Sequence, residues 1–192
     1  MSDIELEGVK IIYCKGTGVA KSLNIALAHV STEAMFVTHD DCTVSEDWLT
    51  TGLEAYKASR GIVTGMVLPP ENSKYQVPSI KTSEERFDYT GKLMNGALYP
   101  NNMVLNSNLA LAIGGFDERP NLKYSEDLDF SYRWLKKGYK LSYEPSMVVT
   151  HHDWRDKAEM DLLYKNYARC AGAFYAKHIL TCLLYTSPSP RD

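Results

Sequence analysis

The sequence predicts an α/β fold, a mostly parallel sheet flanked by helices, and three observations carry that expectation. A β-branched run at residues 9–14 (VKIIYC), a helix-periodic stretch at 21–30 and a second apolar run at 34–38 form one βαβ unit. The run GIVTGMVL at 61–68 is a further strand, stopped by Pro69 and Pro70. Two acidic clusters sit where such folds place ligands: His39-Asp40-Asp41 just past a strand, and Ser125-Glu126-Asp127 at a helix start.

Each element has a local reason. Lys15-Gly16-Thr17-Gly18 reads as the turn after the first strand, and Leu23, Ala26, Leu27 and Val30 give the next helix its apolar face. A second helix is expected from Ser45 or Asp47 to about Ser59, with acidic residues in its first turn. Residues 71–100 turn polar with weak periodicity, so loops and a short helix around 83–89 are expected, as in lids and binding loops. Residues 102–105 read as a short strand, and 107–113 as a short helix ended by Gly114-Gly115. Ser125 suits the N-cap of a helix over 126–137, with Lys136, Lys137 and Gly138 at its C-terminal end. Strands at 139–143 and 147–150, separated by Glu144-Pro145, deliver His151-His152. The last helix, 157–180, places Met160, Leu163, Tyr164, Tyr167, Ala171, Phe174 and His178 on roughly one face.

Composition narrows the function. The 192 residues suffice for one domain, and 21 basic against 24 acidic side chains leave no electrostatic footprint for nucleic acid. The four cysteines, without a C-x-x-C, indicate neither a zinc knuckle nor a disulfide framework, and reduced thiols fit the cytoplasm. The acidic residues 1–7 lack the features of a signal peptide, and the apolar stretch 171–185 is too short and too interrupted to span a bilayer. The expectation is a cytoplasmic protein, either free or peripheral at the inner face of the membrane.

The acidic clusters carry the chemistry. Carboxylates past a buried strand and at a helix start can hold a divalent cation and a reacting proton. Taken alone, Asp40-Asp41 also fits a solvated turn and Ser125-Glu126-Asp127 ordinary helix capping. Tyr164, Tyr167, Phe174 and Tyr175 fit either an acceptor platform or helix core, and Trp134 of Arg133-Trp134 reads as packing.

Beyond these local patterns, the segments GVAKSLNIAL, FVTHDDCTVSEDWL, GIVTGMVLP, NNMVLNSNLALAIGGFDE, YSEDLDFSYRWLKKGYKLSYEP and VVTHH, in that order, resemble the GT-A-fold glycosyltransferases of the family 2 type. The resemblance implies a Rossmann-like, mostly parallel sheet lacking the first two βα units, with a partial domain over 1–181 and a non-native or disordered tail at 182–192. It implies metal-dependent, inverting transfer of a sugar from a nucleotide-diphosphate donor to a saccharide, lipid-linked or other hydroxyl acceptor, with Mg²⁺ or Mn²⁺ as cofactor. By the same resemblance Asp127 is the catalytic base, and Asp41, Asp40, His151 and His39 are candidate metal ligands. His39 stands where the family has a carboxylate. Asp40, Asn24, Lys21, Asn102 and Glu126 are the candidate donor-binding residues. Two other functions share the acidic cluster: a non-catalytic saccharide- or nucleotide-binding module, and a metal-dependent phosphohydrolase.

Overall fold

The computed structural model describes residues 7–14, 18–73, 77–89, 96–152 and 155–186. Its elements are α1 (Val19–His29), β1 (Ala34–Thr38), β2 (Cys42–Val44), α2 (Trp48–Ser59), β3 (Ile62–Leu68), β4 (Phe87–Tyr89), β5 (Asn102–Asn106), α3 (Ser107–Ala112), a 3₁₀ turn (Pro120–Leu122), α4 (Glu126–Lys136), β6 (Leu141–His151) and α5 (Lys157–Thr186). The sheet runs in the order β1-β5-β3-β6-β2, and β4 also pairs with β6.

Alternation along the strands builds two cores, one on each face of the sheet. Ile62, Met103, Leu105, Leu141 and Tyr143 pack with Leu23 and Leu27 of α1, Ala110 of α3, and Phe130 and Trp134 of α4. The intervening Val63, Val104, Met147 and Val149 pack on the other face against Trp48, Ala55 and Tyr56 of α2. Successive strand side chains point to opposite faces, so helices must cover both. Among the described residues no helix is long and apolar enough to cross a membrane.

The α/β class holds, and the parallel character is weaker than expected. β3 and β6 pair in parallel, whereas β5 is antiparallel to both β1 and β3, and β2 and β4 are antiparallel to β6. It follows that β1, β3 and β6 run one way and β2, β4 and β5 the other. β5 enters antiparallel between β1 and β3, directly after the turn closed by Asn102 N–H on the Tyr99 carbonyl. The expected strand at 9–14 makes no sheet pairing, and Val9, Ile11, Ile12 and Tyr13 are exposed. Among the described residues β1 is therefore an edge strand. The short helix expected at 83–89 is extended instead and contains β4, because Phe87 stacks on Tyr143 at 5.0 Å and alternates with the buried Tyr89. The two strands expected on either side of Glu144-Pro145 are one strand, β6, with a register shift against β3 at Gly65/Met66. Proline has no N–H to give the ladder, so an irregularity there is the cheapest way to keep the strand continuous. The turn at 15–17 lies outside the described residues. The boundary expected at 182 falls within α5, and 187–192 lie outside the described residues.

α5 is fastened at its C-terminal half by a buried charge cluster. Asp129 on α4 is fully buried and accepts from Arg133 Nε (2.7 Å), from His178 Nε2 (2.8 Å) and from Lys177 Nζ. Lys177 also donates to Asp117 (2.8 Å), which holds Arg119, while Arg133 donates to the carbonyls of Ile113 and Gly115. A buried carboxylate is tolerated only when fully compensated in this way.

Candidate active site

The three co-directional strands β1, β3 and β6 end on the same side of the sheet, and the candidate residues gather there. β1 stops at Thr38 and the chain turns through His39-Asp40-Asp41, with Cys42 N–H donating to the His39 carbonyl (3.2 Å). β2 then pairs antiparallel with the end of β6, Cys42 opposite His151, and His152 N–H donates to the Asp41 carbonyl (2.8 Å). Two chain segments 110 residues apart are thereby set in register, and His151 Nε2 lies 3.3 Å from Asp41 Oδ2.

The other ring nitrogen defines the tautomer. His151 Nδ1 lies 2.9 Å from the Pro78 carbonyl, which can only accept, so Nδ1 carries the proton. In the neutral ring Nε2 therefore turns a bare lone pair toward a carboxylate oxygen. Two acceptors at that distance need a shared proton or a cation between them, and a histidine anchored through its second nitrogen to a carbonyl is the arrangement that orients a metal ligand. Cys42 completes a group of three potential ligands with Asp41 and His151. Its thiol is pushed up to about 11, first by burial and then by the Asp41 charge, and it donates to Asp41 Oδ1 (3.5 Å). Without a cation beside it the thiol stays protonated at neutral pH.

A cavity of about 1430 Å³ opens from this corner, lined by His39, Asp40, Asp41 and His151, by Asn101, and by Ser125, Glu126 and Asp127 at the start of α4. Asp127 Oδ1 accepts from Leu128 N–H (2.7 Å). Burial raises its carboxyl above the ordinary range, against the lowering effect of that backbone donor. Glu126 is raised as well, by burial and then by the charge of Asp127, and its Oε2 is buried without a partner. Tyr99 and Tyr167 line the same cavity, and burial followed by the Asp127 charge raises both phenols, that of Tyr167 to about 12. Ser125 is a buried N-cap by position, but its side chain makes no capping bond.

The other expected site residues are arranged differently. Asp40 is exposed on the turn, and neither it nor His39 belongs to the three-residue ligand group. His39 lines the cavity, and burial holds its imidazole below the usual range although Asp41 pulls it up. Asn24, expected at the donor, is a clamp: Nδ2 donates to the Phe116 carbonyl and to Glu118 (2.8 Å each), and Oδ1 accepts from Phe116 N–H (2.7 Å). Gly115 beside it has φ +65 and a Cβ there would meet Asn24 Oδ1, so the Gly-Gly turn and α1 are built around one amide. Asn102, also expected at the donor, is fully buried and spent on the sheet. It accepts from Trp48 Nε1 (2.8 Å) and donates to the carbonyls of Met66 (2.7 Å) and Met147 (2.8 Å), beside the register shift between β3 and β6. Lys21 is on α1 and is not among the residues lining the cavity. Of the acceptor-platform candidates, Tyr167 lines the cavity, Phe174 is core, and Tyr164 and Tyr175 are exposed. Sequence reading missed Cys42, the Pro78 carbonyl and Asn101; strand alternation after Asp41 would have paired Cys42 with the histidine strand.

This arrangement, a mixed sheet with an Asp–His pair at the strand ends and a carboxylate pair at a helix start, is that of a GT-A-type domain. The sequence profile of Glycosyl transferase family 2 matches residues 2–113, and the chain belongs to that family. Two solved structures share the fold. GalNAc-T7, crystallised with UDP, GalNAc and Mn²⁺, is similar with a TM-score of 0.56 and 16% identity over 83% of this chain and 36% of its own. Residues 1–349 of TarS from S. aureus are similar with a TM-score of 0.55 and 14% identity over 84% of this chain and 53% of theirs. The chain thus spans about a third of one and about half of the other. A comparison with curated protein sequences finds no match.

Proposed function

We propose that this chain carries the metal site and the base of a metal-dependent, inverting glycosyltransferase, which moves a sugar from a nucleotide-diphosphate donor to an acceptor hydroxyl. The observation that carries the reading is His151 Nε2 facing Asp41 Oδ2 at 3.3 Å, with Nδ1 committed to Pro78, on the wall of the cavity that also holds Asp127. The residues fit a hard or borderline cation: Asp41 and His151 would hold Mg²⁺ or Mn²⁺, with Asp40 and His39 as further candidates on the same turn. When bound, the cation neutralises charge growing on the diphosphate oxygens. Family membership and the Mn²⁺ and UDP bound to GalNAc-T7 support the same assignment.

Asp127 takes the proton of the acceptor hydroxyl as the new bond forms. Its raised carboxyl makes it a stronger base than an ordinary aspartate while leaving it ionised at and above neutral pH. A base on the face opposite the leaving diphosphate gives a single displacement with inversion. The unpaired Cys14, Cys42 and Cys170 fit a reducing compartment, and we assign the reaction to the cytoplasmic side.

Mn²⁺ titration followed by the free-ion EPR signal tests the metal site. Wild-type protein should take up one ion, and Asp41→Ala and His151→Ala should each weaken uptake at least tenfold. Unchanged uptake in both variants overturns the assignment. Nucleotide-sugar assays should then show transfer that Asp127→Asn reduces by about 10²- to 10⁴-fold. Mn²⁺-dependent UDP binding without transfer or donor hydrolysis would mark a binding module instead, and phosphatase activity a phosphohydrolase.

A further inference from the structure

Among the described residues two that are not glycine take a left-handed φ, Arg60 at +57 and Ser79 at +59. Arg60 caps the C-terminus of α2, an ordinary place for that conformation. Ser79 caps no helix. It lies between β3 and β4, and a side chain on a left-handed backbone there is held under strain, which persists only where the surroundings fix the chain on both sides. Upstream, the Pro78 carbonyl takes the Nδ1 proton of His151 at the end of β6 (2.9 Å). Downstream, Lys81 is laced to β3, its N–H donating to the Val67 carbonyl (3.0 Å) and its carbonyl accepting from Val67 N–H (2.9 Å). The Lys81 side chain is fixed as well. Its Nζ donates to the Tyr89 hydroxyl and to the Gly96 carbonyl (3.1 Å), and it stands 4.5 Å from the ring centre of Tyr143, 4.9 Å from Tyr89, 5.4 Å from Phe87 and 5.6 Å from Tyr99. Four aromatic rings hold one ammonium by cation–π attraction.

We propose that Ser79 is a positioning residue for His151: its left-handed turn, held in place by the aromatic box around Lys81, aims the Pro78 carbonyl at Nδ1. The proposal rests on the metal-site reading and adds to it the device that orients the histidine. Only Ser79 and Ile80 lie between Pro78 and the fixed Lys81. The peptide plane carrying the Pro78 carbonyl is rigid and pivots about the Ser79 N–Cα bond, so with Lys81 anchored the φ of Ser79 sets where that carbonyl points. A change from +59 to the ordinary range near −60° would swing it by roughly 120°. Pro78 cannot absorb the swing, because its ring fixes its own φ. Without the carbonyl, Nδ1 loses its acceptor, the proton is free to move to Nε2, and Nε2 then faces Asp41 as a donor and no longer as a ligand. The Ser79 side chain also interacts with the Tyr167 phenol, which ties α5 to the same strap.

The full chain is tested at pH 7, where the Lys81 amine, brought down to about 8 by burial, is still mainly an ammonium. In metal-free, ¹⁵N-labelled protein, NMR should show a downfield imidazole N–H resonance from His151 Nδ1, protected from water and identified by its absence in His151→Ala. Ser79→Val, whose branched side chain opposes a positive φ, should lose that signal, and so should Lys81→Met, which keeps an apolar stem in the box and deletes the charge. Ser79→Gly, which takes φ +59 without steric cost, should keep it. Mn²⁺ uptake followed by EPR should run in parallel, weakened about tenfold or more in Ser79→Val and about 3- to 10-fold in Lys81→Met, and within about twofold of wild type in Ser79→Gly. Retention in the glycine variant separates the backbone turn from the lost hydroxyl, and Lys81→Met gives the answer if Ser79→Val does not fold. The proposal is overturned if the wild type lacks the imidazole signal, if Ser79→Val and Lys81→Met lower only the melting temperature, or if Ser79→Gly loses the signal as Ser79→Val does. An imidazole signal that depends on Ser79 in a wild-type protein that takes up no Mn²⁺ would uphold the positioning of His151 and remove the metal reading beneath it.

Discussion

Replacing Asn102 by alanine separates a structural asparagine from a ligand-binding one. Its side chain is fully buried and makes three hydrogen bonds, from Trp48 Nε1 and to the carbonyls of Met66 and Met147. Alanine leaves the indole N–H without a partner in a dry interior, at about 1–3 kcal/mol, and strips one bond from each of two buried carbonyls, at roughly 1 kcal/mol each. The expected loss is therefore about 3–5 kcal/mol, or roughly 6–20 °C in Tm for a chain of this size. Asn102→Asp should be at least as damaging at neutral pH and should recover in acid. A carboxylate facing two carbonyls has its folded pKa raised, so its stability deficit grows as pH rises from the unfolded aspartate value through the folded one. Urea denaturation at pH 4 and pH 7 provides the measurement. A loss below about 1 kcal/mol, accompanied by weaker nucleotide-sugar binding, would refute the reasoning and return Asn102 to the donor site.

Other expectations follow from buried charges and tight turns. Asp129→Asn should destabilise the fold by about 3–5 kcal/mol at pH 7, because Lys177, His178 and Arg133 lose their common carboxylate. Burial alone would raise the Asp129 pKa, but hydrogen bonds from Lys177, Arg133 and His178 outweigh it and hold it low, so the difference should shrink as pH falls below the unfolded aspartate value; chemical denaturation at pH 3 and pH 7 checks the sign. Glu126→Gln should raise Tm relative to wild type at pH 8 and not at pH 4, since a raised carboxyl costs stability as pH climbs above its unfolded value. Gly115→Ala should cost about 1–3 kcal/mol, measured by thermal unfolding, because φ +65 and the Asn24 contact both oppose a Cβ.

Much of the fold was legible because its signals are local. Helix α4 has two marked ends, and β1 and β3 are apolar runs followed by polar or turn residues, so the acidic groups at a strand end and at a helix start are placed by local pattern alone. What stayed hidden depends on partners far along the chain. Asn24 and Asn102 are polar residues whose sequence neighbours say nothing of Phe116, Met66 or Met147, so local pattern cannot tell their structural bonds from ligand contacts. Residues 9–14 have every local mark of a strand, yet a strand exists only through a neighbour, and among the described residues β1 pairs on one side alone. The antiparallel course of β5 was equally unreadable, since alternation fixes which face a side chain takes and not the direction in which the strand runs.

The division of labour between Asn101 and Asn102 shows how the sheet makes the site. β5 begins opposite Thr38, at the end where β1 and β6 stop, so the residue just before it lies at the cavity and the residue just inside it lies in the core. Next to that position, at the register shift between Gly65 and Met66, the Asn102 amide bridges the carbonyls of Met66 and Met147. A defect in the β3–β6 ladder is thereby used to fix the start of β5, while the intact three-residue ladder of β2 on β6 sets Asp41 against His151. The Asp41–His151 corner and the Asn102 amide are held by the same strand, β6, from its two sides. Substitutions that loosen the Asn102 bridges should therefore shift Asn101 and leave the Asp41–His151 pair in place, which puts two parts of the cavity wall under separate control within one sheet.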